Sequence, residues 1–152
     1  MRVGVVSDSH GFTGRLQTIL MAMEAKKPLD ALIHLGDGYY DLRDLGVDLP
    51  VYQVAGNCDL FCQDTLNVVH LSGATLVLTH GHYQHVKDGL YDLMMLGMDQ
   101  KAGAVLYGHT HCQAMEWRSG LLLLNPGAAT EGKYAVLNIN RLGAIDPELH
   151  SL

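Results

Sequence analysis

Short apolar runs recur along this chain, and five of the six are followed two residues later by an Asp, Asn or His. The runs cover residues 3–6, 31–35, 51–55, 75–78, 104–107 and 121–124. They are rich in Val, Leu and Ile and have Gly close behind them, which is typical of strands buried on both faces. The sequence therefore predicts a buried sheet whose strands end at polar side chains.

Two longer helices are predicted over residues 14–27 and 88–101, and a shorter one over 40–45, because apolar residues recur there at helical spacing. The expected buried faces are Leu16, Ile19, Leu20 and Met23 in the first helix, and Tyr91, Met94, Met95 and Met98 in the second. We interpret these methionines, with Met21, as core residues. A homo-oligomer interface is the alternative.

The order of the elements predicts the fold class. Strands alternate with helices in the first half, which favours parallel pairing with right-handed crossovers. Further strands are predicted over 65–71, 113–117 and 134–139, and their short connections favour antiparallel pairs. We expect one α/β domain over residues 1–152, with two packed mixed sheets flanked by helices.

Ligands of open α/β sheets bind beyond the carboxyl ends of the strands, so the residues that end these runs should converge. Two pairs are spaced i, i+2, which aims both side chains the same way in extended backbone. Seven side chains make up the predicted cluster: Asp8, His10, Asp37, Asn57, His80, His109 and His111.

Seven ligands are too many for one tetrahedral structural zinc, and the set contains no cysteine. The mixture of imidazole and oxygen suits Mn, Fe, Co, Ni or Zn better than Ca or Mg. With one bridging carboxylate, each of two ions would have four protein donors. Paired metals about 3.5–4 Å apart are the usual device for phosphoester hydrolysis, and their charge attracts a phosphodiester anion.

Composition excludes several other classes of protein. The net charge is −6, so an extended nucleic-acid footprint is not expected. No apolar run approaches the roughly 18 residues of a membrane span, and Ser7 and Asp8 come too early for the apolar core of a secretory signal. The three cysteines form no CxxC pair, which indicates reduced thiols and a cytoplasmic location.

Five motifs in order resemble those of the calcineurin-like metallophosphoesterases over nearly the whole chain. They are Asp8-Ser9-His10, Gly36-Asp37, Gly56-Asn57, His80-Gly81-His82 and Gly108-His109-Thr110-His111. The run 56–59 and Asn125-Pro126-Gly127 resemble the compact branch of small phosphodiesterases, which also contains the metal-pocket subunit of the retromer coat.

The resemblance implies a β-sandwich with a dinuclear centre at its rim, most often loaded with manganese. Asp8, His10 and His111 would hold the first ion, and Asn57, His80 and His109 the second. Asp37 would bridge them. A hydroxide between the ions would then attack a small phosphodiester, and a non-catalytic scaffold or a phosphomonoesterase would be the alternatives.

The chain departs from the broader family at Cys58, where many members have a histidine that protonates the leaving group. A thiol is a weaker acid and donor. His82 and Tyr39 are the substitute donors we consider, and for His82 a supporting role behind the ligands is the alternative. We interpret His34 as a hydrogen-bonded core histidine and Asn125-Pro126-Gly127 as a turn beneath the site.

Overall fold

The computed structural model describes residues 1–152 and contains two five-stranded mixed sheets. The first sheet has the order β10-β9-β1-β2-β3, and the second has the order β4-β5-β6-β8-β7. The strands are β1 (Arg2–Val6), β2 (Ala31–His34), β3 (Val51–Gln53), β4 (Leu66–Leu71), β5 (Ala74–Thr79), β6 (Ala104–Leu106), β7 (Ala114–Arg118), β8 (Leu121–Asn125), β9 (Lys133–Ile139) and β10 (Ile145–Ser151). The helices are α1 (Thr13–Lys26), α2 (Asp41–Asp44) and α3 (Tyr91–Asp99), with a 3-10 turn at Ala129–Glu131.

Strand pairing follows the length of the connections, as predicted. The crossovers join β1 to β2 and β2 to β3 in parallel, and β6 runs parallel to both β5 and β8. The short turns join β4 to β5, β7 to β8 and β9 to β10 in antiparallel fashion. The predicted α/β class with two mixed sheets is confirmed.

The two sheets pack face to face, and side chains from both sheets form the main core. In β1, Val3 and Val5 enter this inter-sheet core, whereas Val6 packs outward under α1. On the far side, α3 covers the second sheet. The result is four layers, helix on sheet on sheet on helix, in which the central strands are apolar on both faces. No helix is long and apolar enough to cross a bilayer.

The buried face of α3 differs from the predicted one. Tyr91, Met95 and Met98 are exposed, and the helix instead buries Leu93 and Gly97. A Cβ on Gly97 would lie 2.7 Å from side-chain atoms of both Val105 and Leu121, so the helix backbone itself rests on the sheet. Gly97 therefore lies where α3 approaches the second sheet most closely.

Three further expectations were wrong in part. Met21 in α1 is exposed rather than buried. The strand predicted over 51–55 ends at Gln53, and Val51 is exposed because β3 is an edge strand. The edge strand β10 was not predicted, although Ile145 and Leu149 alternate with polar residues and pack on the core. Pro147 is tolerated there because an edge strand can lose one backbone donor.

Candidate metal centre

The polar residues that follow β1, β2, β5 and β6 meet at one end of the sheet pair. The ligand atoms of Asp8, Asp37 and His80 lie within 4.8 Å of one another, as do those of Asp8, His10 and His111. The ring of His109 lies 5.1 Å from that of His80. Six of the seven predicted ligands are thereby brought together: Asp8, His10, Asp37, His80, His109 and His111.

Asp8 is fully buried, and its two carboxylate oxygens have different surroundings. Oδ2 accepts hydrogen bonds from the Ser7 hydroxyl at 2.6 Å and the His109 backbone N–H at 3.2 Å. Oδ1 has no hydrogen-bond partner. It lies 3.1 Å from Nε2 of His111, 3.8 Å from that of His10 and 3.9 Å from that of His80. A buried carboxylate oxygen without a hydrogen-bond donor is costly, and the three imidazoles around it make this a place that could hold a cation.

His80 is held in one tautomer by the backbone. Its Nδ1 lies 2.7 Å from the carbonyl oxygen of Leu35, and since a carbonyl only accepts, Nδ1 carries the proton. Nε2 is buried, without a hydrogen-bond partner, and 3.3 Å from Asp37 Oδ2. This is how proteins orient a metal-ligating histidine, with the second nitrogen bonded to a carbonyl.

Asp37 presents a single oxygen to the cluster. Its Oδ1 accepts the Cys58 backbone N–H at 2.8 Å, which leaves Oδ2 facing His80 and His10. Burial acts to raise the pKa of Asp37, but the contact with His80 and the Cys58 N–H hold that pKa well below its usual range. Asp37 is therefore an anion at neutral pH.

Two further histidines sit beside His80 in uncharged form. Burial first, and then the charge of His80, lowers the pKa of both His82 and His109. The neutral imidazole is the form that binds metal. The ring of His82 lies 5.5 Å from that of His80 and 4.2 Å from that of Tyr83, and its Nδ1 has no partner. His82 therefore lines the cluster.

Asn57 is the predicted ligand for which the structure shows no contact with the others. Its side chain is exposed and its amide lies 3.6 Å from the Cys58 sulfur. Its neighbours nevertheless touch Asp37: Cys58 donates to the carboxylate, and a Cβ on Gly56 would lie 2.1 Å from Asp37 Oδ1. The loop is thus in place beside the cluster.

The backbone of the cluster is unusual. Five of the predicted ligands have positive φ: Asp8 (55°), His10 (47°), Asp37 (55°), His109 (68°) and His111 (63°). Such left-handed conformations are uncommon outside glycine and cost about 1–3 kcal/mol each, and they concentrate at functional sites. The loops turn sharply at these residues, so the simple extended geometry assumed for the i, i+2 pairs does not apply.

A buried network supports the Asp8–His10 loop. The Ser9 hydroxyl lies 2.8 Å from Nε2 of His34 and donates to Asp41 at 2.5 Å, and Asp41 also accepts the Gly11 N–H. His34 is fully buried, and burial lowers its pKa to about 4. The prediction of a hydrogen-bonded core histidine is confirmed.

Sequence reasoning assigned no role to two carboxylates that organise these loops, Asp41 and Asp59. Asp59 accepts four backbone N–H groups from the loops that carry Asp37 and Asn57. The sequence signals were the motif 56–59, which Asp59 ends, and the position of Asp59 three residues after Gly56, where its carboxylate reaches back to that N–H.

Roles were also predicted for Asn125, as part of a turn beneath the site, and for Tyr39, as a proton donor. Asn125 lies beneath the site, where its amide donates to Gly108 O at 2.9 Å and its Oδ1 accepts the Gly127 N–H. The Tyr39 hydroxyl instead donates to Asp64 at 2.7 Å, and this bond raises the pKa of Tyr39 to about 12. Tyr39 is therefore not a suitable substitute donor.

Known proteins share both the sequence and the fold. The calcineurin-like phosphoesterase superfamily domain matches residues 1–141. A probable metallophosphoesterase of Bacillus subtilis is 34% identical over 130 residues, which cover 84% of this chain and 75% of the relative. A phosphodiesterase of Methanocaldococcus jannaschii is 27% identical over 152 aligned residues, covering 84% of this chain and 83% of the relative.

A solved structure extends the likeness to the fold. Vps29 of Entamoeba histolytica, crystallised with zinc, superposes with a TM-score of 0.73 at 20% identity, covering 99% of each chain. The domain match spans all five motifs and the residues that form the cluster. This chain belongs to the calcineurin-like phosphoesterase superfamily.

Proposed function

We propose that the protein is a dinuclear-metal phosphodiesterase that hydrolyses small phosphodiesters. Asp8, His10 and His111 would hold one ion, and Asn57, His80 and His109 the other, with Asp37 between them. Manganese is the first candidate, and Fe, Zn, Ni and Co are alternatives that suit the same donors.

The observation that carries the proposal is the pair of buried, unpartnered atoms Asp8 Oδ1 and His80 Nε2. They lie 3.9 Å apart, and because Nδ1–H of His80 donates to Leu35 O, Nε2 is the nitrogen left to face the carboxylates. Buried polar atoms without hydrogen-bond partners are costly, and a cation between the carboxylates and Nε2 would satisfy them. The donor set therefore fits divalent metal.

Bound divalent ions would supply an activated water and positive charge for the phosphoryl oxygens. The residues of the chain would hold those ions. Leu35 O fixes the orientation of the His80 ring, and the Cys58 N–H leaves Oδ2 of Asp37 facing the cluster. His82 offers a neutral imidazole beside the His80 ring, and we propose that it contacts the substrate.

The centre lacks a good general acid to protonate the leaving group. Burial, and then the charge of Asp37, raises the pKa of Cys58, so the thiol is protonated but is a poor acid. Diesters with acidic leaving groups need little protonation and should be the best substrates. The likeness to a phosphodiesterase from M. jannaschii supports a diester as the substrate.

A scaffold function is the second candidate, favoured by the likeness to Vps29 and by exposed apolar side chains away from the centre. Met115 and Trp117 lie exposed on the edge strand β7. Retention of the whole metal-donor set, which a pure scaffold would not require, argues for the enzyme. The three cysteines are all free, which suits the cytoplasmic location we propose.

The test is hydrolysis of bis(p-nitrophenyl) phosphate by metal-stripped protein with added Mn²⁺, beside p-nitrophenyl phosphate. Manganese-dependent turnover that favours the diester supports the proposal. Preference for the monoester would make it a phosphomonoesterase. Two bound metals by elemental analysis with no turnover of either substrate would favour the scaffold.

A further inference from the structure

We infer that Asp59 is a positioning residue that locks the Asp37 loop to the Asn57 loop and thereby sets the metal affinity of the centre. The inference rests on the proposed metal centre. Asp59 Oδ2 accepts the backbone N–H groups of Asp37 and Gly56, both at 2.7 Å. Its Oδ1 accepts those of Gly38 at 2.9 Å and Tyr39 at 3.1 Å.

Asp59 is not a ligand, because both of its oxygens are engaged by the backbone. Consecutive N–H groups that turn to one side form a concave binding site for an anion. Here residues 37–39 provide that concavity, and the Asp59 carboxylate occupies it. The fourth bond, from Gly56, ties the same carboxylate to the loop that carries Asn57.

The Asp37 loop needs such a constraint. Gly36, Asp37 and Gly38 have φ of 99°, 55° and 143°, three positive values in succession. A backbone of this kind persists only where its surroundings over-determine it. Because Asp59 accepts the N–H groups of Asp37 and Gly38 themselves, these bonds hold the chain in the conformation that presents the Asp37 carboxylate.

The same contact controls which oxygen of Asp37 faces the metals. Asp59 accepts the Gly56 N–H and so fixes the turn that contains Cys58. The Cys58 N–H in turn donates to Oδ1 of Asp37. Oδ2 is thereby left toward His80 and His10. Loss of Asp59 should release both loops at once, and with them the bridging carboxylate and Asn57.

The experiment compares Mn²⁺ affinity, measured by isothermal titration calorimetry, in the wild type, Asp59→Asn and Asp64→Asn. An asparagine keeps the shape but turns an N–H₂ group toward backbone donors, so two of the four bonds are lost. Asp64 provides a matched control: it lies in the same segment, and its side chain accepts a hydrogen bond from the Tyr39 hydroxyl alone. Changes to groups that support metal ligands typically weaken binding about 10–100-fold, which is the loss expected for Asp59→Asn.

Urea unfolding in EDTA separates positioning from a purely structural role. Wild-type Mn²⁺ affinity in Asp59→Asn, with or without lowered stability, overturns the inference. If Asp59→Asn does not fold, Asp59→Ser, which leaves room for a water, takes its place under the same criterion. A wild type that binds no Mn²⁺ overturns the metal centre as well, whereas normal binding in both wild type and Asp59→Asn overturns only the role of Asp59.

Discussion

Oδ2 of Asp37 lies 3.3 Å from Nε2 of His80, and the other polar atom of each side chain is held by a backbone group. The Cys58 N–H donates to Asp37 Oδ1, and Nδ1–H of His80 donates to Leu35 O. These backbone hydrogen bonds leave Asp37 Oδ2 and His80 Nε2 facing each other. This pair is the best place to test the centre.

Asp37→Ala and His80→Ala should abolish metal-dependent turnover, with a loss of more than about 100-fold, because each removes a proposed metal ligand. Both variants should still unfold cooperatively in EDTA, since neither residue belongs to the apolar core. Turnover and circular dichroism measured on the same preparations give both answers. Unchanged activity in the two variants would contradict the mechanism.

Metal should also stabilise the wild type and not these variants. Mn²⁺ at about 100 times its dissociation constant would add about 2.7 kcal/mol per site to the free energy of unfolding. EDTA should remove that increment. An equal rise in melting temperature for wild type and Asp37→Ala would show that the ion binds elsewhere.

Gly56→Ala should disable the centre without touching a ligand. A Cβ at this position would lie 2.1 Å from Asp37 Oδ1 and 2.6 Å from the Asp37 backbone nitrogen, so the two loops must separate. Mn²⁺ affinity and diester turnover should both fall at least about tenfold.

Gly14→Ala in α1 is the control for that substitution, because a Cβ there meets open space. It should bind Mn²⁺ normally and gain up to about 1 kcal/mol of stability, as alanine suits a helix better than glycine. Normal Mn²⁺ binding in Gly56→Ala would mean that the loops tolerate separation.

Cys58→His should raise turnover of diesters with poor leaving groups. A histidine is a better general acid near neutral pH than a thiol whose pKa is raised, and general acids contribute about 10²–10⁴-fold. The gain should be larger for diphenyl phosphate than for bis(p-nitrophenyl) phosphate. Cys112→His, an exposed cysteine outside the cluster, should change neither rate. Equal gains on both substrates would argue against proton donation.

The strands and the ligand cluster were predictable because central strands buried on both faces leave continuous apolar runs. The run 104–107 and the two histidines after it illustrate this: β6 lies in the middle of its sheet, and the loop beyond it reaches the site. The edge strand β10 lacks that signal. Ile145 and Leu149 in β10 alternate with charged residues, and Pro147 argues against a strand.

Other features depend on tertiary structure and leave no local pattern. Helix α3 buries Gly97 because its backbone approaches the sheet, while Met98 points outward. The left-handed conformation of Asp37 and three of the four bonds to Asp59 arise only once two loops, about twenty residues apart in sequence, are in contact. Composition and spacing cannot reveal such contacts.

The buried His34 should make stability depend on pH. In the fold, its Nε2–H donates to the Ser9 hydroxyl and its Nδ1 accepts the Gly36 N–H, so the ring is neutral. Burial lowers its pKa from 6.5 to about 4. The unfolded chain therefore takes up a proton more readily, and stability is lost as the pH falls from about 6.5 toward 4.

The expected loss between pH 7 and pH 5 is about 2 kcal/mol, since each pKa unit corresponds to about 1.4 kcal/mol. Urea unfolding in EDTA at the two pH values measures it. His34→Gln does not titrate at this position but keeps every metal ligand, so the other groups cancel in the comparison. Wild type should lose about 2 kcal/mol more than His34→Gln on acidification. Equal losses would show that His34 takes up a proton as readily in the fold as in the unfolded chain, and would contradict a neutral ring held by the Gly36 N–H.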